Sequence, residues 1–206
     1  MNVAFGSSIA MSKSGDTLII GSPGADSTSA ADVGAIYYYK WNADGSTNTY
    51  TLQQTLSSPD TQINMKFGST VDINDSGNRL IIGAEKFSND REMMFDSGTT
   101  TFDLQDTTFV DLNVGSGGAY TATMYNTKFV IDDLLISDKV SANDDFGRGV
   151  CVIDDTVFVG SPNDNGNIDT SDGSSLLDSD GTVASYDLKK SGQYAWNLLE
   201  TESPLV

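Results

Sequence analysis

The sequence predicts an all-β chain built as three four-stranded antiparallel blades of a partial β-propeller, either open or a fragment of a longer array. Three observations predict it. A Phe-Gly pair recurs at Phe5-Gly6, Phe67-Gly68 and Phe146-Gly147, and self-similarity at such a period marks a repeat architecture. After each pair comes a short apolar run that ends in glycine, too short for a buried helix and bounded by Ser, Asn, Asp and Gly. Only 19% of residues are charged, while Gly, Ser, Thr, Asn and Asp are abundant, the usage of many short strands joined by polar turns.

In the first unit, Phe5-Gly6-Ser7-Ser8-Ile9-Ala10 leads through Ser14-Gly15-Asp16 to Leu18-Ile19-Ile20-Gly21-Ser22-Pro23, with sixteen residues from Phe5 to Gly21. The second unit keeps that spacing from Phe67 to Gly83, through the turn Asp75-Ser76-Gly77-Asn78 and the run Leu80-Ile81-Ile82-Gly83. The third shortens it to fourteen, Phe146 to Gly160, and the loss falls at the turn Asp154-Asp155 before Val157-Phe158-Val159-Gly160. Such turn residues tolerate positive φ, as tight hairpins require.

Third strands follow at Gly34-Ala35-Ile36-Tyr37-Tyr38-Tyr39, Gly118-Ala119-Tyr120-Thr121 and Gly181-Thr182-Val183-Ala184-Ser185-Tyr186, rich in β-branched and aromatic residues. Fourth strands close the units at Tyr50–Leu56, Phe129–Leu135 and Tyr194–Leu199. Four meandering strands per unit make a propeller blade. Residues 1–206 therefore read as one repeat array, with blade one at 5–60, blade two at 65–138 carrying a long loop at 84–117, and blade three at 145–203. Glycine after Phe, and glycine ending each second strand, predict close backbone approach between blades, with the Phe filling the space between sheets.

These residues together resemble the FG-GAP repeat of integrin α-subunit propellers, and the resemblance runs from Phe5 to about Ser203. It implies a propeller used for recognition or scaffolding. The chain looks closest to the short-hairpin variant without a calcium loop. In the calcium-binding version, alternate oxygen ligands and a closing carboxylate hold an ion that takes about six to eight oxygens. Here the nearest counterpart, Asp72 to Leu80, closes on Leu80 and carries Arg79, and the first unit offers Ala10, Ser12, Ser14 and Leu18, so these segments read as hairpin turns.

Composition narrows the chemistry. Eleven Lys plus Arg against 29 Asp plus Glu leave a formal charge of −18, which repels nucleic acid and anionic membrane. No histidine is present, so imidazole-activated nucleophiles and histidine-ligated zinc are out. The lone cysteine, Cys151, lies in an apolar run and reads as a small buried hydrophobe. No segment approaches the roughly 18 apolar residues of a membrane span, and no signal peptide is visible in this chain.

Length varies most between the second and third strands, at residues 22–33, 84–117 and 161–180. In a propeller these slots and the connections 57–66 and 137–145 emerge on one face, where a rigid scaffold presents variable loops for recognition. Within the longest slot phenylalanine recurs every seven residues, at Phe95, Phe102 and Phe109, in Thr-, Asp- and Gly-rich surroundings unlike a coiled-coil heptad. These three read as packing against the blade or, functionally, as aromatic anchors for a ligand. That loop is also similar to loops in large structural proteins of marine bacteriophages. Asp164, Asp169 and Asp172 are the weak calcium candidates, in a stretch that reads first as a solvated loop. Paired carboxylates at Asp132-Asp133, Asp144-Asp145 and Asp154-Asp155 raise a glycoside-hydrolysing alternative. They read instead as an exposed outer strand, an interblade loop and a hairpin turn.

The expectation is a non-enzymatic binding or structural module of a larger extracellular or virion-surface protein, without cofactor. Its partners would be a protein or glycan surface ligand, and further blades of the same protein or a second copy of the chain. The alternative is a carbohydrate-active hydrolase using two Asp carboxylates.

Overall fold

The computed structural model describes residues 3–43, 48–88, 115–137, 143–164, 181–188 and 196–202. Among these the chain is all β, with twelve strands in three four-stranded antiparallel sheets. Sheet one runs β1 (Ser8–Met11), β2 (Thr17–Ser22), β3 (Ala35–Ala43), β4 (Asn48–Ser57). Sheet two runs β5 (Phe67–Ile73), β6 (Arg79–Ala84), β7 (Gly118–Tyr125), β8 (Lys128–Leu135). Sheet three runs β9 (Gly149–Ile153), β10 (Thr156–Ser161), β11 (Thr182–Leu188), β12 (Trp196–Glu202). Each sheet is a simple meander, every strand pairing with its neighbour in sequence. The last strand lies slightly later than the run Tyr194–Leu199 suggests.

Consecutive sheets pack face to face, β1, β2 and β3 against β5, then β5 and β6 against β9. Side chains alternate across a strand, so each sheet turns one set of residues back toward its predecessor and the other forward toward its successor. At the first junction Ala10, Ile19, Ile36 and Tyr38 of sheet one meet Phe67, Val71, Ile73, Leu80, Ile82 and Tyr120 of sheet two. At the second, Ile81 and Ala119 of sheet two meet Phe146, Val152, Val157, Val159 and Tyr186 of sheet three. The middle sheet is therefore covered on both faces, which is why Leu80-Ile81-Ile82 is apolar without alternation and wholly buried. In the outer sheets β2 and β10 the burial alternates along the strand.

The hairpins form where the turn chemistry asks for them. The β1–β2 and β5–β6 turns place Gly15 and Gly77 at φ 74° and 70°, and the shorter β9–β10 turn places Asp154 at 51°. In the second of these the Asn74 side-chain oxygen accepts the backbone N–H of Asn78 and Arg79, at 3.0 and 3.1 Å. The β7–β8 turn holds both Asn126 and Thr127 at positive φ, 45° and 77°. That geometry favours Asn-Gly, and a β-branched residue there is strained. Thr127→Gly is expected to raise stability by about 1 kcal/mol, read from the urea midpoint at unchanged slope.

Three expectations need correcting. Asp132 is not on an exposed strand surface: it is half-buried, accepts a hydrogen bond from the Thr123 hydroxyl, and lies near Arg79, which donates to that same hydroxyl at 2.7 Å. Burial raises its carboxyl above the usual range, partly offset by the Thr123 bond. Cys151 is exposed rather than buried: it lies on β9, the edge strand of its sheet, with its thiol beside the Asp72 carboxylate of sheet two. Phe5 is 50% exposed although Phe67 and Phe146 are buried, because among the described residues no sheet packs against it as sheets one and two pack against those.

Candidate functional site

The most strongly built feature is the junction between units, made twice from equivalent residues. Ala4, Lys66 and Asp145 take positive φ of 51°, 64° and 57°, and the following Phe-Gly glycines take 87°, 83° and 90°. In each unit this turn is closed by a backbone bond from the residue after glycine: Ser7 to Ala4, Ser69 to Lys66, Arg148 to Asp145, at 3.2, 2.9 and 3.0 Å. The Phe-Gly segment of one unit then docks on the unit before it. Phe67 bridges Gly34 and donates to Val33 O at 2.8 Å; Phe146 bridges Gly117 and donates to Ser116 O at 3.0 Å. The glycine carbonyls accept hydroxyl bonds at equivalent places, Gly68 from Ser8 at 2.9 Å and Gly147 from Thr70 at 2.7 Å.

Only glycine fits the receiving positions. A Cβ added to Gly21 would lie under 3.0 Å from the Gly68 carbonyl oxygen, and one added to Gly83 equally close to that of Gly147. Gly34 and Gly117, at φ 97° and 90°, face the Phe67 and Phe146 backbones just as tightly. At the hairpin tips Lys13 reaches Asp75 and the Asn74 amide reaches Asp154 O at 3.2 Å, while the Asp72 carboxylate accepts the Val152 N–H at 2.8 Å. Sheet follows sheet through backbone contacts as well as apolar packing, which fixes their spacing.

At the opposite end from those tips, the connections between units meet the slots between second and third strands. Gln62, in the connection to sheet two, donates to Ser88 O and accepts from Ser88 N–H, at 2.7 Å each, so a single amide ties the two loops. Asp32 in the first slot pairs with Lys66 of the next unit at 3.4 Å. The same tie recurs with charges reversed where Lys86 in the second slot pairs with the buried Asp145 of the next unit. Arg148 and Asn163 also donate to Asp145, at 3.1 and 2.9 Å. Sequence reading placed Asp145 in a connecting loop but missed its role. The signal was its place before Phe146, equivalent to Lys66 before Phe67.

Asp164 lies at this end too, buried, accepting the Thr182 hydroxyl at 2.7 Å. It is therefore part of the slot's own structure rather than a solvated carboxylate. Asp169 and Asp172, with Phe95, Phe102 and Phe109, lie outside the described residues. Among the described residues no group of three or more acidic or cysteine side chains is gathered as a metal site. Four of the six paired carboxylates are engaged: Asp155 with Arg79 at 3.1 Å, Asp133 with the Leu134 N–H at 2.9 Å, and Asp132 and Asp145 as above.

No protein-family model matches the chain, and no curated protein matches it. Among solved structures, the crystal structure of the Saccharomyces cerevisiae Sqt1 aligns with TM-score 0.49 and 9% identity, over 96% of this chain and 35% of that one. A likeness of that size carries no argument about fold or function, and the chain spans about a third of the other's length.

Proposed function

We propose that the chain is a run of three FG-GAP-like propeller blades acting as a non-enzymatic binding or structural module of a larger extracellular or virion-surface protein. The observation that carries this reading is the junction repeated twice over: a scaffold of sheets locked through their backbones, with the variable slots gathered at one end. A rigid frame carrying loops of unequal length is how recognition surfaces are built. A strongly acidic chain without histidine suits a protein or glycan surface better than a nucleic acid. The engagement of Asp132, Asp133, Asp145 and Asp155 in structural bonds supports a non-catalytic role, since a carboxylate acting on a glycoside must face substrate.

The longest slot offers the test. Its ends are already joined, the Gly115 N–H donating to the Ser88 hydroxyl at 3.1 Å, so residues 89–114 can be replaced by a short Gly-Ser linker without stretching the sheet. The thermal midpoint is expected to stay within about 3 °C, while binding on a glycan array or to cell surfaces falls to background. A chain that folds and binds nothing in either form sinks the recognition role and leaves scaffolding. Polysaccharide hydrolysis by the chain, lost on mutation of the acidic pairs, establishes the hydrolase.

A further inference from the structure

We propose that the chain associates head to tail with a second copy, the Phe5-Gly6 turn of one copy seating in the Gly160–Gly181 socket of the other and repeating the junction already made twice within the chain. This rests on the repeat reading above and extends it by naming the partner.

Among the described residues both halves of such a junction are present and partly exposed. On the first sheet the face that would meet a predecessor carries Phe5, Ile9 and Met11, with Ile9 63% exposed. Their equivalents in sheet two, Phe67, Val71 and Ile73, are all buried under sheet one. On the third sheet the face that would meet a successor carries Phe158 and Val183, 37% and 46% exposed. Their equivalents in sheet two, Ile81 and Ala119, are fully buried. The exposed faces are therefore the same two surfaces that close on each other inside the chain, so a second copy offers each of them its complement.

The approaching turn is already shaped. Ala4 and Gly6 hold the backbone angles of Lys66 and Gly68, and Phe5 rests edge-on against Tyr37 at 5.1 Å as Phe67 rests on Tyr120 at 5.3 Å. Little ordering remains to be done on binding. The socket is shaped as well: Gly181 keeps the positive φ of Gly34 and Gly117, at 74°. Its N–H is held by Asp164 O at 3.1 Å, as Gly34 is by Ala25 and Gly117 by Phe87. A Cβ on Gly160 would find nothing nearer than 3.6 Å, so the space that Gly68 and Gly147 fill at the other junctions is open. One part differs: Gly149 stands where Ser8 and Thr70 supply the hydroxyl that clasps the incoming carbonyl.

Because the two surfaces differ, the contact is heterologous and closes only as a ring. Two copies would bring six sheets, within the range of about four to eight in closed arrays of four-stranded sheets.

Sedimentation velocity decides it, run to about 0.5 mM protein and in about 0.5 M salt to screen the −18 charge that sets copies apart. The chain is expected to associate, and Phe5→Ala and Gly160→Val each to remain monomeric alone. An equimolar mixture of the two regains a dimer, since one supplies the intact turn and the other the intact socket. Gly149→Thr is expected to tighten association roughly three- to tenfold by restoring the hydroxyl. A chain monomeric throughout, or association unchanged in both variants, overturns the proposal. Neither outcome touches the internal junctions, which Gly83→Ala tests within one chain.

Discussion

Gly83→Ala is expected to lower the unfolding free energy by about 3 kcal/mol or more, among the largest effects of any single methyl group in this chain. Gly83 is the penultimate residue of β6, on the face turned toward sheet three, and the added carbon would lie under 3.0 Å from both the Gly147 carbonyl oxygen and the Thr70 hydroxyl. The carbonyl belongs to backbone held at φ 90°, and the hydroxyl is the one that bonds it at 2.7 Å. Neither can move aside as a flexible side chain would, so relief requires the two sheets to part, uncovering Ile81 and Ala119. The third unit contains its own control. Gly160 occupies the equivalent place in β10, with no close neighbour, and Gly160→Ala is expected to change stability by less than about 0.5 kcal/mol. Urea titrations of the two variants under one set of conditions give the comparison, and equal losses would mean that the glycine serves strand geometry rather than the junction.

That contrast also shows where sequence stops being informative. The Phe-Gly register, the glycine closing each second strand and the turn glycines Gly15 and Gly77 were legible because each answers a local steric demand that few residues meet. They placed the first two strands of each unit, and the β-branched, aromatic and apolar runs that follow placed the other two. What a residue faces is not local. Ile19, Ile81 and Phe158 are equivalent in the repeat, yet the first two are buried and the third is exposed, because burial depends on whether another sheet follows. Cys151 was misjudged because its apolar neighbours Val150 and Val152 pack into the second junction, while its own thiol stays exposed beside Asp72 on an edge strand. Asp145 shows the converse. Its composition reads as a surface loop, and only the meeting of Lys86, Arg148 and Asn163 above it explains a buried carboxylate there.

The second large effect is expected at Phe67, where alanine should cost about 3–5 kcal/mol. The ring is fully buried between sheets one and two, edge-on to Tyr120 at 5.3 Å, and its removal leaves a cavity bounded by backbone on the Gly34 side. The Phe67 backbone is bridged to Gly34, so the walls cannot collapse into the space without breaking the N–H bond to Val33 O at 2.8 Å. Phe146→Ala removes the same ring from the second junction, and a loss of similar size is expected. Phe5→Ala is expected to cost under about 1 kcal/mol, because half of the ring already faces water and only the edge contact with Tyr37 is lost. The three substitutions remove an identical group from an identical turn, so the ranking isolates what the neighbouring sheet contributes. Thermal unfolding at low protein concentration is the measurement, since association of copies would protect Phe5 and blur the difference. A Phe5→Ala loss as large as that at Phe67 would mean that the ring stabilises its own turn, and the account of sheets locked face to face through Phe-Gly would fail.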